Sequence, residues 1–148
     1  MSPIDKQKSI FFKFLSIFSV VRIYNILIIV LAQYLTSIFI LSDKKLFDVI
    51  FDFNLFLLIL CSSLSIASGY IINNFYDQKK DIINKPIKSK IDDVVKKSTK
   101  LYFYFILNFV VILFASIISL RAVIFFSVYI FFLWFYSHKL KRLLFLGN

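Results

Sequence analysis

The chain has 148 residues, 60% of them hydrophobic, a mean hydropathy of +0.85 and a formal net charge of +10. That apolar share exceeds the roughly 45–50% of soluble globular domains and predicts an integral membrane protein. The basic excess does not indicate a nucleic-acid partner, because Lys and Arg fall between apolar stretches instead of lining one face with interleaved aromatics.

In chain order, residues 3–18 carry Lys8 and Lys13 beside Phe11, Phe12, Phe14 and Leu15, which predicts a helix lying in the membrane interface. The apolar region behind them is too long for a signal peptide, contains Arg22 and Asn25, and has no small-residue cleavage pattern close behind it. About 20 mainly apolar residues are needed to cross the hydrocarbon core. Four stretches meet that length or approach it: about 19–41, 53–75, 101–119 and 122–136. The expected fold is an all-α membrane protein with four transmembrane helices in a single domain, residues 1–148. The last two spans are joined almost without a loop through Leu120 and Arg121, which predicts an antiparallel hairpin.

Outside the spans, 14 basic residues fall on the side holding both termini and the 79–100 loop, against Lys44, Lys45 and Arg121 on the other. The positive-inside rule therefore places both termini and that loop in the cytoplasm, across a cell (inner) membrane. Cys61 is the only cysteine, so no intrachain disulfide forms, and its apolar surroundings predict a packing role.

The second span runs into a polar island, Asn73 to Asp81, continuing to Asn84-Lys85-Pro86. Asn73, Asp77 and Asp81 recur every four residues and so share one helical face. Two like charges one turn apart are destabilising unless a cation lies between them. Hard oxygen ligands of this kind suit Mg²⁺, which keeps several waters and is completed by substrate phosphates. The island therefore reads as a diphosphate dock. Spacing alone does not decide this, since Asp48 and Asp52 have the same separation in the first loop. That pair lies on the predicted outer side beside Lys44 and Lys45, without an Asn one turn back, and reads as a solvated loop.

The pattern Asn73-x-x-x-Asp77-x-x-x-Asp81, followed by Asn84-x-Pro86 at the end of a second span, resembles the first aspartate-rich motif of the UbiA-type intramembrane prenyltransferases. Arg22-Ile-Tyr-Asn25, Ala67-Ser-Gly69-Tyr70-Ile-Ile-Asn73 and Tyr136-Ser137-His138-Lys139-Leu140-Lys141-Arg142 resemble other segments of that family's first half. Gln33-Tyr34-Leu35 and the Tyr-Ser-x-x-Leu-Lys-Arg form look most like the bacterial geranylgeranylglycerol-phosphate geranylgeranyltransferase branch. The resemblance implies transfer of an isoprenoid group, best matched by geranylgeranyl, from a prenyl diphosphate to a lipid-soluble acceptor such as geranylgeranylglyceryl phosphate. It assigns Mg²⁺ binding to Asp77, Asp81 and Asn73, and substrate contact to Arg22, Asn25, Lys85, Tyr136, Lys141 and Arg142.

The pattern departs from the family in three places. Asn74 stands where many relatives carry an extra Asp, Ile87-Lys88-Ser89 replaces their x-Arg-Pro, and no second aspartate-rich motif is present. The expectation that follows is the first half of a UbiA-like bundle, inactive alone and dependent on a second chain for the other half. The alternative is a small four-span structural or accessory membrane protein without catalysis.

Overall fold

A computed structural model describes residues 16–140. The expected interfacial segment is therefore seen only at residues 16–18, which are helical, and Lys141 and Arg142 lie outside the described residues.

A short helix over residues 16–21 breaks at Arg22, after which α1 runs Ile23–Thr36 and continues as a π-helical turn, Ser37–Leu41. A five-residue helix α2 (Leu46–Ile50) follows, then the long α3 (Phe53–Asn84), a short α4 (Pro86–Asp92), α5 (Lys97–Ile118) and α6 (Leu120–Phe135) with a π-helical extension Tyr136–Leu140. There is no strand among the described residues. Among the described residues four helices are long and apolar enough to cross a membrane: Ile23–Leu41, Phe53–Gln78, Lys97–Ile118 and Leu120–Leu140. The break at Arg22 falls inside the first span as read from hydropathy, which is blind to backbone conformation.

Local chemistry accounts for the helix ends. Asp52 caps α3 by accepting hydrogen bonds from the amides of Asn54 (2.9 Å) and Leu55 (3.1 Å), satisfying donors that a helix start leaves open. Its carboxylate also lies 3.9 Å from Lys44, while Asp48 is exposed, so the first DxxxD pair is a cap and a solvated residue. At the other end Lys85 leaves the helical region (φ −141°, ψ 64°), which a following proline disfavours, and Pro86 begins α4 where its missing N–H is no loss. Between α5 and α6 the turn is made by Ser119 alone, whose hydroxyl accepts from the Ala122 amide; Leu120 and Arg121 already belong to α6.

Small side chains let the helices approach closely. Cys61 of α3, Val111 and Ala115 of α5, and Ala122 and Phe126 of α6 form one buried cluster, and Cys61 is fully buried. A second cluster, Val20, Ile71, Ile72 and Tyr104, ties the N-terminal segment to α3 and α5. Within the bilayer, where apolar burial drives little association, such close packing and interhelical hydrogen bonds hold helices together. Ser68 of α3 donates to Asn108 Oδ1 of α5 at 2.7 Å, one such interhelical bond.

At about 1.5 Å per residue, the 32 residues of α3 extend some 48 Å, well beyond a hydrocarbon core of about 30 Å. Twenty residues after Phe53 the helix reaches Asn73, so the polar island begins where the core ends.

Candidate functional site

Two hydrogen bonds define how α1 lies on α3. Asn25 Nδ2 donates to the Tyr70 hydroxyl at 3.2 Å, and Gln33 Nε2 donates to Ser62 Oγ at 2.7 Å. Eight residues forward on α1 correspond to eight residues back on α3, a single antiparallel register. Extended by about one turn, that register sets Arg22 level with Asn73. The Arg22 backbone is left-handed (φ 53°, ψ 54°), the only positive φ among the described residues, and its guanidinium lies over the Tyr70 ring at 5.3 Å. A left-handed L-residue costs about 1 kcal/mol or more, so packing around Arg22 must hold it there.

A groove runs between α1 and α6 along one side of α3. Its end near the polar island has a volume of about 310 Å³ and is lined by Tyr70, Asn73 and Tyr136 together with Ile29, Gly69 and Leu133. A larger compartment of about 610 Å³, lined mainly by apolar side chains such as Leu55, Leu58 and Phe125, adjoins it through the shared residues Ile29 and Tyr129. Gly69 narrows the contact between α3 and α6, since a Cβ there would meet Leu133 Cδ1 at 3.1 Å.

The structure therefore brings together Arg22, Asn25, Asn73 and Tyr136 through Tyr70, a residue quoted only in passing by the sequence argument. Asp77 and Asp81 continue the Asn73 face along α3 and are half-buried, while Lys85 is exposed at its end. A magnesium ion fits this donor set in one sense only. No group of three or more His, Cys, Asp or Glu side chains among the described residues could hold a metal by itself. Two carboxylates on one face match an ion that substrate phosphates complete.

The neighbouring face of α3 is occupied differently. Asn74 is buried; its Nδ2 donates to Asp92 Oδ2 at 2.8 Å and its Oδ1 accepts from Lys100 Nζ at 2.8 Å. Ser19 Oγ donates to Asp92 Oδ1 at 2.9 Å, and Asp92 and Lys100 are both buried. Gln78, one turn on from Asn74, donates to Asp93. The expected missing acid at position 74 thus has a reason. An amide both donates to a carboxylate and accepts from an ammonium, whereas a second carboxylate beside Asp92 would repel it. No local pattern marks this network, whose members are 18 and 26 residues apart. His138 sits outside the groove lining, stacked on Trp134 at 5.3 Å and tilted against Tyr76 at 5.2 Å, with Nδ1 buried and without a hydrogen-bond partner among the described residues.

Four apolar helices of membrane-spanning length among the described residues, three of them lining a groove, define an integral membrane protein. The chain matches the UbiA prenyltransferase family over residues 26–148, and it belongs to that family. Comparison with curated proteins and with solved structures returned no match.

Proposed function

We propose that this protein takes part in Mg²⁺-dependent transfer of a prenyl group, with geranylgeranyl the favoured donor chain, from its diphosphate to a lipid-soluble acceptor. The acceptor we favour is geranylgeranylglyceryl phosphate, the substrate of the branch whose Gln33-Tyr34-Leu35 and Tyr136–Arg142 patterns this chain resembles. The observation that carries the reading is that Tyr70, Asn73 and Tyr136 line one end of a groove between apolar spans, with Arg22 and Asn25 held against Tyr70 beside it.

Asp77 and Asp81, with Asn73 beside them, would hold a Mg²⁺ ion, which would supply charge neutralisation for the departing diphosphate. Arg22 adds a permanent cation at the level of Asn73, and the exposed Lys85 adds charge at the end of α3; the family resemblance assigns Lys141 and Arg142 the same role. Cations aimed at a leaving group act most strongly in the transition state, where its charge is greatest. The apolar compartment takes the isoprenoid tail and keeps water from the allylic carbon. Leu27, Leu31 and Leu35 form an exposed stripe on α1, and we propose that a further helical partner, on a second chain, packs beside the groove to complete the chamber. The polar island faces the cytoplasm, where soluble prenyl diphosphates are available, which agrees with the basic-residue asymmetry.

The test is transfer of labelled geranylgeranyl from its diphosphate to geranylgeranylglyceryl phosphate in native membranes, which hold the chain together with the proposed second chain. Product should require Mg²⁺, disappear with EDTA, and fall at least a hundredfold in Asp77→Ala and Asp81→Ala. Well-inserted protein whose membranes form no product with any lipid acceptor, and bind no prenyl diphosphate, would instead support the accessory-protein alternative.

A further inference from the structure

We infer that Tyr70 is a catalytic residue whose hydroxyl donates a hydrogen bond to the departing diphosphate oxygen. This rests on the prenyl-transfer reading above and adds a group that the motif does not contain. Three observations place it. Tyr70 lines the polar end of the groove with Asn73, one turn away on the same helix. Asn25 Nδ2 donates to the phenol oxygen at 3.2 Å, so one acceptor position is filled and the phenol's own hydrogen turns elsewhere. The Arg22 guanidinium lies 5.3 Å from the ring centroid, which places a permanent positive charge beside Tyr70 and holds the ring in position.

The strained backbone at Arg22 sharpens the point. Packing holds one residue in a left-handed conformation, and the side chain so displaced sits against Tyr70. Strain of this kind collects where a side chain must be aimed. In the reaction the C1–O bond of the prenyl diphosphate breaks and its electron pair stays on the diphosphate oxygen. The Tyr70 hydrogen bond to that oxygen shortens as its charge grows, and the proton remains on Tyr70. Because the charge is largest in the transition state, the bond acts on turnover more than on ground-state binding.

The experiment compares wild type with Tyr70→Phe, which keeps the ring and its contact with Arg22 and removes only the hydroxyl. Two quantities are read in native membranes, where the chain is present with the proposed second chain: turnover with geranylgeranyl diphosphate, and Mg²⁺-dependent binding of the unreactive geranylgeranyl S-thiolodiphosphate. The expected result is a fall in kcat of tenfold or more with analogue affinity within threefold of wild type, a split that a purely structural role does not produce. Turnover within twofold of wild type in Tyr70→Phe, while Asp77→Ala is inactive, overturns the Tyr70 assignment and leaves the prenyl-transfer reading standing. Wild-type membranes that neither bind the analogue nor turn over overturn both. Should Tyr70→Phe fail to insert, 3-fluorotyrosine at position 70 decides. It is nearly isosteric with a more acidic hydroxyl, and kcat at or above wild type supports the donor role, whereas a tenfold fall overturns it.

Discussion

At the scale of single residues, Arg22 sets backbone strain against a placed charge. Glycine adopts the left-handed region without the Cβ penalty, so Arg22→Gly is expected to leave thermal stability in detergent unchanged or raise it by about 1 kcal/mol. The same variant should lose roughly tenfold in affinity for a prenyl diphosphate, because the cation level with Asn73 has gone. Lower stability together with unchanged affinity would show that the guanidinium is a packing group and nothing more. Asn74 poses the complementary case, an amide between a buried carboxylate and a buried ammonium. Asn74→Asp sets two buried carboxylates around the one Lys100 ammonium and removes the donor that Asp92 accepts from, and should destabilise by about 1–3 kcal/mol, the scale of a buried acceptor left unsatisfied. Asn74→Asp combined with Asp92→Asn exchanges acid and amide and should restore most of that loss in a thermal melt. The Asn73, Asp77 and Asp81 face was legible because its members are one turn apart. The partners of Asn74 were not, because they arrive from α4 and α5.

At the scale of elements, α3 carries most of the design. It contacts α1 through Asn25–Tyr70 and Gln33–Ser62, α5 through Ser68–Asn108 and Asn74–Lys100, and α6 at Gly69 against Leu133. Its length, evident from the sequence only as an apolar run followed by a polar one, is what carries Asp77 and Asp81 past the hydrocarbon edge on a continuous helix. Gly69 shows how closely α6 approaches. A methyl group there meets the end of a flexible leucine at 3.1 Å, so Gly69→Ala should change stability by less than about 1 kcal/mol, gained helix propensity offsetting the shift of Leu133. Gly69→Val adds volume that Leu133 has no room to accept and should cost about 1–3 kcal/mol. Because Gly69 and Leu133 both line the polar end of the groove, Gly69→Val should also weaken prenyl diphosphate binding, read on the same samples.

At the scale of the whole molecule, four alternating spans put the start of α1, the end of α3, the start of α5 and the end of α6 at one side of the membrane. Basic residues concentrate on that side, and the expected orientation is cytoplasmic. The buried Cys61 gives little background to a thiol reagent, so single cysteines report orientation directly. Asp43→Cys should react with a membrane-impermeant maleimide in intact cells, and Lys90→Cys only after the inner face is opened. The reverse pattern would place the aspartate face outside and remove its access to cytoplasmic diphosphates.

The sequence by itself determined the class, the four spans, the Asn73–Asp77–Asp81 face and the stop at Asn84-Lys85-Pro86. Hydropathy, helical period and proline restriction are all local properties, and each acts within a few residues. Tertiary structure alone decided which faces meet. It placed α1 and α6 either side of a groove along α3, brought Tyr70 between Arg22, Asn25 and Asn73, and buried Asp92 and Lys100 against Asn74. Those outcomes depend on which side chains interlock between segments far apart in sequence, and no periodicity within one helix specifies its neighbour.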